Sequence, residues 1–332
     1  MTGPEEFLLR SGLQSAGEPA TWTALTGGVS SDLWRVDLPG RTLCVKRALP
    51  TLRVGDGWHA PVTRNAVEYA WLTFAAGHRP GSAPRVLAHD PDAGYFAMEF
   101  LPHPVWKGEL MAGRVDPAVA AAVGDLLGAL HRISTREPGV AKEFATDANF
   151  ATLRLEPYFG TTARRHPQLA DRFSDLAERT AATHLALVHG DVSPKNILVG
   201  PAGPVFLDAE CAWFGDPAFD VAFCLTHLSL KMLVRPDRAE DLRAAAVALH
   251  AAHAAHIDWE PVEAFDHRVA TLLPALLLAR VDGASPVEYL TDAHRTAVRE
   301  AATGLLLEPA GSTSRLLERW HAQLPAGSPA SS

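Results

Sequence analysis

The chain has 332 residues, of which 47% are apolar, and a formal net charge of −8. A chain of this size can bury two packed lobes, and its acidic balance argues against general nucleic-acid binding. Three cysteines without paired spacing exclude a disulfide framework and a cysteine zinc site, and they favour reduced thiols in a cytosol. The N-terminus shows no leader pattern, and the longest apolar run, residues 269–279, is too short to span a bilayer. We therefore expect a cytoplasmic protein without a membrane or nucleic-acid partner.

The N-terminal part begins with strand patterns. The first ten residues are mixed in composition, and we expect a tail there. Apolar and polar residues alternate over 33–38, a turn of sequence Leu-Pro-Gly-Arg follows, and 42–46 form an extended run. Residues 27–31, Gly-Gly-Val-Ser-Ser, lie between the first two strands. Such a loop can approach phosphates closely and offer them N–H and hydroxyl donors, although a plain hairpin turn is the alternative.

A helix and a buried strand complete this part of the chain. Pro61 can open the helix and Gly77 can close it, and one face is apolar through Val67, Trp71 and Phe74. The strand covers residues 95–101 and ends at Pro102, which cannot continue it.

The remaining two thirds of the chain are predicted to be mainly helical. Asp116 and Pro117 form an N-cap and first turn, and the apolar period that follows runs to His131. Further helical patterns cover residues 171–184, 221–233, 239–256 and 261–280. We therefore predict an α+β fold of two lobes, with a small β-rich N-lobe over 1–101 and a larger helical C-lobe over 102–332.

Residues 187–208 contain a predicted hairpin that places two oxygen ligands together. Two apolar runs, 197–199 and 205–207, flank the five-residue connector Gly-Pro-Ala-Gly-Pro. Pairing of residue 199 with 205 would put Asn196 opposite Asp208, with their Cβ atoms about 5 Å apart. An amide oxygen and a carboxylate suit Mg²⁺ that is shared with substrate phosphates.

Asp191 lies five residues before Asn196, without a Lys or Arg directly adjacent in the sequence. A free carboxylate beside a metal–phosphate site can accept the proton of a hydroxyl group, which a phosphoryl transferase requires. The alternative is a hairpin whose Asp and Asn side chains only cap turns.

This pattern resembles the catalytic core of the protein-kinase-like superfamily, H-x-D-x-x-x-x-N followed by a later Asp. The forms found here, His189-Gly190-Asp191 and Asp208-Ala209-Glu210, look like the aminoglycoside phosphotransferase and small-molecule kinase branch. Related members of that branch act on choline, methylthioribose and fructosamines. Gly215-Asp216-Pro217 and Asp220 follow, and the resemblance implies that Asp220 braces the catalytic loop.

The resemblance also implies a nucleotide site built from the N-lobe. Lys46 matches the third-strand lysine that reaches the phosphates, and Glu68 matches the helix glutamate that holds this lysine. The family's hinge backbone reads the adenine edge. The residues that the resemblance thereby assigns to cofactor binding are Lys46, Glu68, Gly27, Gly28, Ser30, Ser31, Met98, Glu99 and Phe100.

The acceptor side is less determined by the sequence. Four residues could face an acceptor: Glu210, Trp106, Arg280 and Asp282. Glu210 could instead face a second metal ion. Arg280 and Asp282 could instead form an ordinary helix-end ion pair. From Ala212 onward the chain has fifteen Asp and Glu and ten Lys and Arg, which gives a net charge of −5. This charge could attract a polycationic acceptor, or it could belong to ordinary solvated helix faces. We favour a neutral acceptor, because Lys107 and Arg280 could line the cleft. His250, His253 and His256 share a zinc-like spacing, although a wet helix face or a pocket wall is the better interpretation.

The predicted function is transfer of a phosphoryl group from ATP, or GTP, with Mg²⁺, to a hydroxyl of a small metabolite or antibiotic. No Ser or Cys stands in a nucleophile-elbow context, which excludes the common hydrolase design. Two alternatives stay open: a nucleotide-binding pseudokinase that acts as an interaction module, and a kinase that acts on a protein hydroxyl. The first predicts damage at the base, lysine or metal positions, and none of these positions is altered.

Overall fold

The computed structural model describes residues 3–25, 31–49 and 63–324. A five-stranded antiparallel sheet of order β1-β2-β3-β5-β4 forms the N-terminal lobe. Its strands are β1 (Thr21–Ala24), β2 (Ser31–Leu38), β3 (Arg41–Ala48), β4 (Val86–Asp90) and β5 (Tyr95–Glu99). The alternation over 33–38 is confirmed as β2, which turns at Gly40 and pairs with β3 along its whole length.

A helix covers one face of this sheet, and the expected tail over the first ten residues is wrong. Residues Pro4–Arg10 form α1. Its side chains Phe7 and Leu8 are buried, and the Phe7 ring stacks on the Tyr95 ring of β5 with centroids 5.5 Å apart. Mixed composition hid these two apolar residues, because a helix of seven residues is too short to show a clear period.

The second helix of the lobe, α2 (Arg64–His78), packs on the other face of the sheet and on the C-terminal lobe. It is the helix predicted between Pro61 and Gly77, although Pro61 lies outside the described residues. Trp71 of α2 places its ring edge-on to His189, with centroids 4.7 Å apart. The two lobes therefore meet next to the predicted catalytic loop.

The C-terminal lobe is mainly helical, as predicted. Its helices are α3 (Trp106–Met111), α4 (Pro117–Ser134), α5 (Val140–Glu143), α6 (Asp147–Phe150), α7 (Thr161–Arg165), α8 (Ala170–Ala182), α9 (Pro217–Val234), α10 (Ala239–Ala254), α11 (Val262–Asp282), α12 (Asp292–Leu307) and α13 (Thr313–Ala322). A π-helix, Ala151–Gly160, joins α6 to α7. The Asp116 carboxylate caps α4 by accepting the N–H of Ala118, and the helix continues past His131 to Ser134.

Two central helices pack so closely that one position requires glycine. A Cβ atom at Gly124 of α4 would lie 2.1 Å from the Leu249 carbonyl oxygen of α10. The buried helix α9 lies in the same core, and it is long and apolar enough to cross a membrane by length and composition alone. Its hydrophobic window is 94% buried inside the protein, as expected for a core helix. The division of the lobes at residue 101 stays a prediction.

Two short strand pairs shape the loops between the lobes, and the predicted hairpin register is wrong by one residue. β6 (Ala186–Val188) pairs with β9 (Trp213–Gly215), and β7 (Ile197–Gly200) with β8 (Gly203–Phe206). Gly200 pairs with Gly203, so the connector is a two-residue turn instead of five residues. The cause is local: Gly203 has a φ of +129°, which allows the ladder to extend into the glycines.

Candidate active site

The backbone of the predicted catalytic loop is held by one buried carboxylate. Asp220, in the first turn of α9, accepts the N–H groups of His189 at 2.7 Å and Gly190 at 2.8 Å. Gly190 has a φ of +79°, and a Cβ atom there would lie 2.6 Å from the Cys211 carbonyl oxygen. Glycine is therefore the residue that the loop requires at this position. The resulting turn presents Asp191 at the end of β6.

His189 is held in one neutral tautomer by the same loop. Its Nε2 lies 3.0 Å from the Leu207 carbonyl oxygen, to which it donates, and its Nδ1 accepts the Asp191 N–H at 3.2 Å. Burial lowers the pKa of His189, in agreement with an uncharged ring. His189 therefore ties the loop to the segment that precedes Asp208 and is not itself a proton carrier.

Asp191 is not the free carboxylate that the sequence suggested. Arg154 of the π-helix lies 3.0 Å from its Oδ2, and Lys195 lies 3.2 Å from the same atom. Arg154 also donates to the Gly190 carbonyl oxygen, 2.5 Å away. The expectation was wrong because Arg154 is distant in sequence, and because Lys195 reaches Asp191 from the next turn, four residues on. The site thus surrounds Asp191 with two cations.

The hairpin brings Asn196 and Asp208 to the same end in a different way from the predicted one. The backbone C=O of Asn196 accepts the N–H of Leu207 at 2.9 Å, so Asn196 faces Leu207 rather than Asp208. Asp208 follows with a φ of +66°, a left-handed conformation that Asp tolerates better than most residues. This conformation turns the chain out of the strand direction, and the Asp208 side chain reaches the N-lobe.

The chemistry of this pair fits a hard divalent cation. The Asn196 side-chain nitrogen donates to the Asp191 carbonyl oxygen at 3.1 Å, which leaves the amide oxygen as the ligand atom. Asp208 supplies an ionised carboxylate, because Lys46 and Lys195 lower its pKa although burial opposes this. Among the described residues, no group of three His, Cys, Asp or Glu side chains forms a complete metal cage. Two oxygen donors are the protein share expected when phosphates complete the coordination of Mg²⁺.

Lys46 connects the two lobes through two carboxylates. Its Nζ lies 2.6 Å from Glu68 Oε2 in α2 and 2.5 Å from Asp208 Oδ1. Burial alone would lower the pKa of Lys46, but Asp208 and Glu68 outweigh it and raise the pKa. Burial raises the pKa of Glu68 to about 8, against the effect of Lys46. One lysine thus serves two carboxylates, and Asp208, the more exposed of the two, keeps its charge.

Glu210 also lies at this junction but contacts a different cation. Its Oε2 accepts the Arg64 Nε at 3.0 Å, and its backbone C=O accepts the Asn149 side chain at 2.8 Å. Arg64 is the first residue of α2, so a second ion pair joins this helix to the Asp208 segment. Glu210 therefore lies in an interlobe contact.

The structure describes only some of the residues that were expected to bind the nucleotide. Gly27, Gly28 and Ser30 lie outside the described residues, and Ser31 is the buried first residue of β2. Met98 is buried in β5, Glu99 accepts the Arg85 N–H at 3.0 Å, and Phe100 lies under the Arg35 guanidinium at 4.7 Å. None of these side-chain contacts assigns a nucleotide role.

The profile of the phosphotransferase enzyme family matches residues 21–265. The chain belongs to this family. Methylthioribose kinases are among its curated relatives. The Escherichia coli enzyme is 28% identical over 256 residues, covering 67% of this chain and 61% of the relative. The Yersinia enterocolitica enzyme is 27% identical over 255 residues, covering 69% and 63%. The chain thus spans about three-fifths of the length of these relatives.

Solved structures show the same fold as this family member. An amicoumacin kinase in complex with AMP-PNP, Ca²⁺ and Ami superposes with a TM-score of 0.51 at 15% identity, covering 92% of this chain and 89% of that chain. An ethanolamine kinase of Plasmodium vivax gives 0.56 at 13% identity, covering 96% and 85%. The two-lobed protein-kinase-like fold predicted from the sequence is thereby confirmed.

The four acceptor candidates are placed differently within this family fold. Trp106 is buried in the core and is 2% exposed, so the structure contradicts its placement at the cleft mouth. Asp282 accepts both nitrogens of Arg299 at 2.8 Å and pairs with His166, which makes it part of a helix-end ion pair. Arg280 does not pair with Asp282 but donates to the Tyr158 hydroxyl at 2.9 Å. Arg280 and Arg154 both lie 5.6 Å from the Tyr158 ring, so this candidate is close to the cation beside Asp191.

The three histidines of α10 have separate partners. His250 pairs with Asp266 at 3.0 Å, and His256 with Asp125 at 2.8 Å. The buried His253 lies 2.9 Å from His131, which contacts Asp220 at 3.2 Å. His253 therefore supports the residue that braces the catalytic loop, and the zinc interpretation finds no support among the described residues.

Sequence reasoning missed Arg154 and Lys195 in this phosphotransferase-family site. Lys195 lies within the quoted motif, so its (i, i+4) spacing from Asp191 could have revealed it. Arg154 belongs to a helical segment that contains Pro157 and carries no motif, and only the folded chain shows it beside Asp191.

Proposed function

We propose that the chain transfers the terminal phosphoryl group of ATP to a hydroxyl of a small molecule. The observation that supports this most is the contact of Lys46 with Asp208, at 2.5 Å, across 162 positions of sequence. The charges of Asp191 and Asp208 both raise the pKa of Lys195, so the proposed base and the proposed metal ligand lie near the same cation. A family profile over residues 21–265 supports the reaction class.

Each residue has a defined task in this proposal. Asp191 orients the acceptor hydroxyl and takes its proton as the oxygen attacks. Asn196 and Asp208 hold Mg²⁺, which when bound neutralises charge on the phosphates. Lys46, positioned by Glu68, offsets the charge of the transferred group.

The nucleotide and its surroundings are also proposed. The proposal assigns phosphate binding to Gly27, Gly28, Ser30 and Ser31, the first three of which lie outside the described residues, and base recognition to Met98, Glu99 and Phe100. The preferred donor is ATP with GTP as the alternative, the compartment is the cytoplasm, and the partner is a small hydroxylated molecule.

The test is an ADP-release screen of the purified chain with ATP or GTP and Mg²⁺. The panel contains methylthioribose, choline, ethanolamine, aminoglycosides, macrolides, neutral sugars, sugar acids and sugar phosphates. Acceptor-dependent ADP release that Asp191→Asn abolishes supports the proposal. Nucleotide binding without any acceptor-dependent release would instead favour the pseudokinase alternative. Transfer of the phosphoryl group to an added protein would favour a protein hydroxyl as the acceptor.

A further inference from the structure

One face of α9 leads away from the catalytic loop and ends in two buried polar side chains. Phe223, His227 and Lys231 follow each other at intervals of four residues. The Phe223 ring lies 5.2 Å from the His227 ring and 5.7 Å from the Arg154 guanidinium. This face therefore begins at the cation that contacts Asp191 and continues outward to Lys231.

Lys231 is a buried cation without a carboxylate partner in the described part of the chain. It is 1% exposed, and its Nζ lies over the Tyr289 ring at 5.2 Å. Lys107 approaches the same ring at 5.6 Å, and its own charge is paired with Glu288. The ring offers Lys231 only a cation–π contact, which does not replace a counter-ion.

Arg280 brings a second cation to the same place. Its guanidinium donates to the Tyr158 hydroxyl at 2.9 Å and to the Ser285 carbonyl oxygen at 2.5 Å, so its described partners are neutral. The Tyr158 ring lies 5.6 Å from both the Arg280 and the Arg154 guanidinium. Arg280 is thus separated from the cation beside Asp191 by one aromatic ring.

Three further donors or acceptors at this place are unsatisfied within the described residues. They are His227 Nε2, Arg280 Nε and the Tyr289 hydroxyl, all buried from solvent. Buried polar atoms nearly always have a partner in folded proteins. Within the described residues, two cations without a carboxylate partner, Lys231 and Arg280, thus lie beside unsatisfied atoms of His227 and Tyr289, which indicates a site for a ligand with several acceptor atoms. We call His227, Lys231, Arg280 and Tyr289 the cationic cluster.

The shifted pKa values of the cationic cluster agree with a binding site for an anion. The pKa of Lys231 is lowered to about 7, mainly by burial and also by the nearby charges of Lys107 and Arg280, whereas Glu288 opposes this shift. Burial lowers the pKa of His227 well below its ordinary value, and Arg280, Lys231, Lys195 and Lys107 add to the effect. An anion in the cluster would reverse these effects, since it compensates charges that burial has made costly.

We propose that the acceptor carries a carboxylate or phosphate group that binds in the cationic cluster while its hydroxyl lies at Asp191. This inference rests on the proposed phosphoryl transfer. In that reaction the acceptor oxygen bonds to the γ-phosphorus, the bond to the ADP oxygen breaks, and the hydroxyl proton passes to Asp191. The acceptor class is then a hydroxy acid, sugar acid or sugar phosphate. This proposal replaces the neutral acceptor that the sequence favoured, because the sequence alone did not show that Lys231 and Arg280 are buried near each other.

The experiment compares three acceptors of the same size: glucose, glucosamine and gluconate, with ribose and ribose 5-phosphate as a second series. We expect kcat/KM to be at least about tenfold higher for the anionic member of a series than for the neutral one. Lys231→Met should reduce this anionic-to-neutral ratio by about 10- to 100-fold through KM, as loss of a buried charge-assisted contact predicts. Tyr289→Phe, which keeps the ring, should reduce it by about threefold.

Lys142→Met is the matched control, because Lys142 is exposed on α5. It should leave the anionic-to-neutral ratio unchanged. A neutral or cationic acceptor that is preferred in both series, or a ratio insensitive to Lys231→Met, overturns the inference while the kinase proposal stands. Absence of turnover with every acceptor instead overturns the proposed function.

A binding measurement separates the two outcomes even without turnover. With the nucleotide site saturated by AMP-PNP and Mg²⁺, calorimetry with inorganic phosphate should detect a site that Lys231→Met weakens by about tenfold or more. Equal phosphate affinity of the two proteins would contradict an anion site in the cationic cluster.

Discussion

The guanidinium of Arg154 lies 3.0 Å from the carboxylate of Asp191 and also contacts the carbonyl oxygen of Gly190. A single side chain thus fixes both the proposed base and the backbone turn that presents it. Lys195 contacts the same carboxylate oxygen from a more exposed position. Two cations beside a base hold it in one orientation, and one of them, Arg154, is shielded from solvent.

Replacement of Asp191 by Asn should remove turnover without removing nucleotide binding. The amide keeps the size of the side chain but cannot accept the hydroxyl proton. Loss of a general base typically costs about 10²- to 10⁴-fold, and kcat should fall by at least that range. Steady-state kinetics give kcat, and calorimetry with AMP-PNP gives the dissociation constant, which should change less than about threefold. Near-normal turnover by this variant would rule out Asp191 as the base.

Replacement of Arg154 by Lys should lower kcat by about tenfold, because one ammonium group cannot keep both the Asp191 and Gly190 contacts. Arg154→Met should also destabilise the fold by about 3–5 kcal/mol, since it leaves a buried carboxylate with one partner fewer. Urea unfolding and steady-state kinetics measure the two effects. Arg164→Lys, on an exposed position of α7, is the control and should match the wild type in both. A kcat for Arg154→Lys equal to that of the wild type would mean that the guanidinium fork is dispensable.

The sequence predicted the order of elements well, because their signals are local. The cap at Asp116 and the alternation over residues 33–38 each depend on neighbouring residues, and both were confirmed. The hairpin register failed because it depended on whether Gly200 and Gly203 join the ladder, which a turn-forming composition does not decide. One residue of slip is enough to change which side chains face each other.

The positively charged side chains around the candidate active site could be predicted only in part. Lys46 and Glu68 could be named from the family pattern, and the structure brings them into contact at 2.6 Å. Arg154, Lys231 and Arg280 come from three separate helices with no motif, so their convergence is a tertiary property. Long-range contacts of this kind leave no periodic signal in one sequence.

Asn196 and Asp208 should behave as one unit. Asp208→Asn is the suitable variant, because Asn tolerates the left-handed backbone at this position. If both residues hold one Mg²⁺, the losses in kcat from Asn196→Ala and Asp208→Asn should be less than additive in the double variant. Higher Mg²⁺ should partly restore Asn196→Ala, which loses a neutral ligand, and restore Asp208→Asn less. Additive losses that do not respond to Mg²⁺ would instead support two independent turn caps.

The charge state of Lys231 makes stability depend on pH in a defined direction. Burial lowers the pKa of Lys231 from 10.5 to about 7, so between these values the unfolded chain binds a proton that the folded chain does not. The wild type therefore gains stability as pH rises from about 7 to 10, whereas below 7 the cost of the buried cation is constant. Lys231→Met removes this cost and should be the more stable protein at pH 7. Its advantage should shrink by up to about 1.4 kcal/mol for each pH unit above 7.

Urea unfolding of both proteins at pH 7, 8 and 9, in buffers without phosphate, measures this difference. Groups that titrate in both proteins cancel from it, and Lys142→Met should show no such trend. Saturating gluconate or phosphate should reverse the order at pH 7, because a ligand that binds only the folded wild type stabilises it by mass action. A gap between the two proteins that stays constant over this pH range would mean that Lys231 keeps its proton in the folded state. Some counter-ion outside the described residues would then have to lie beside it.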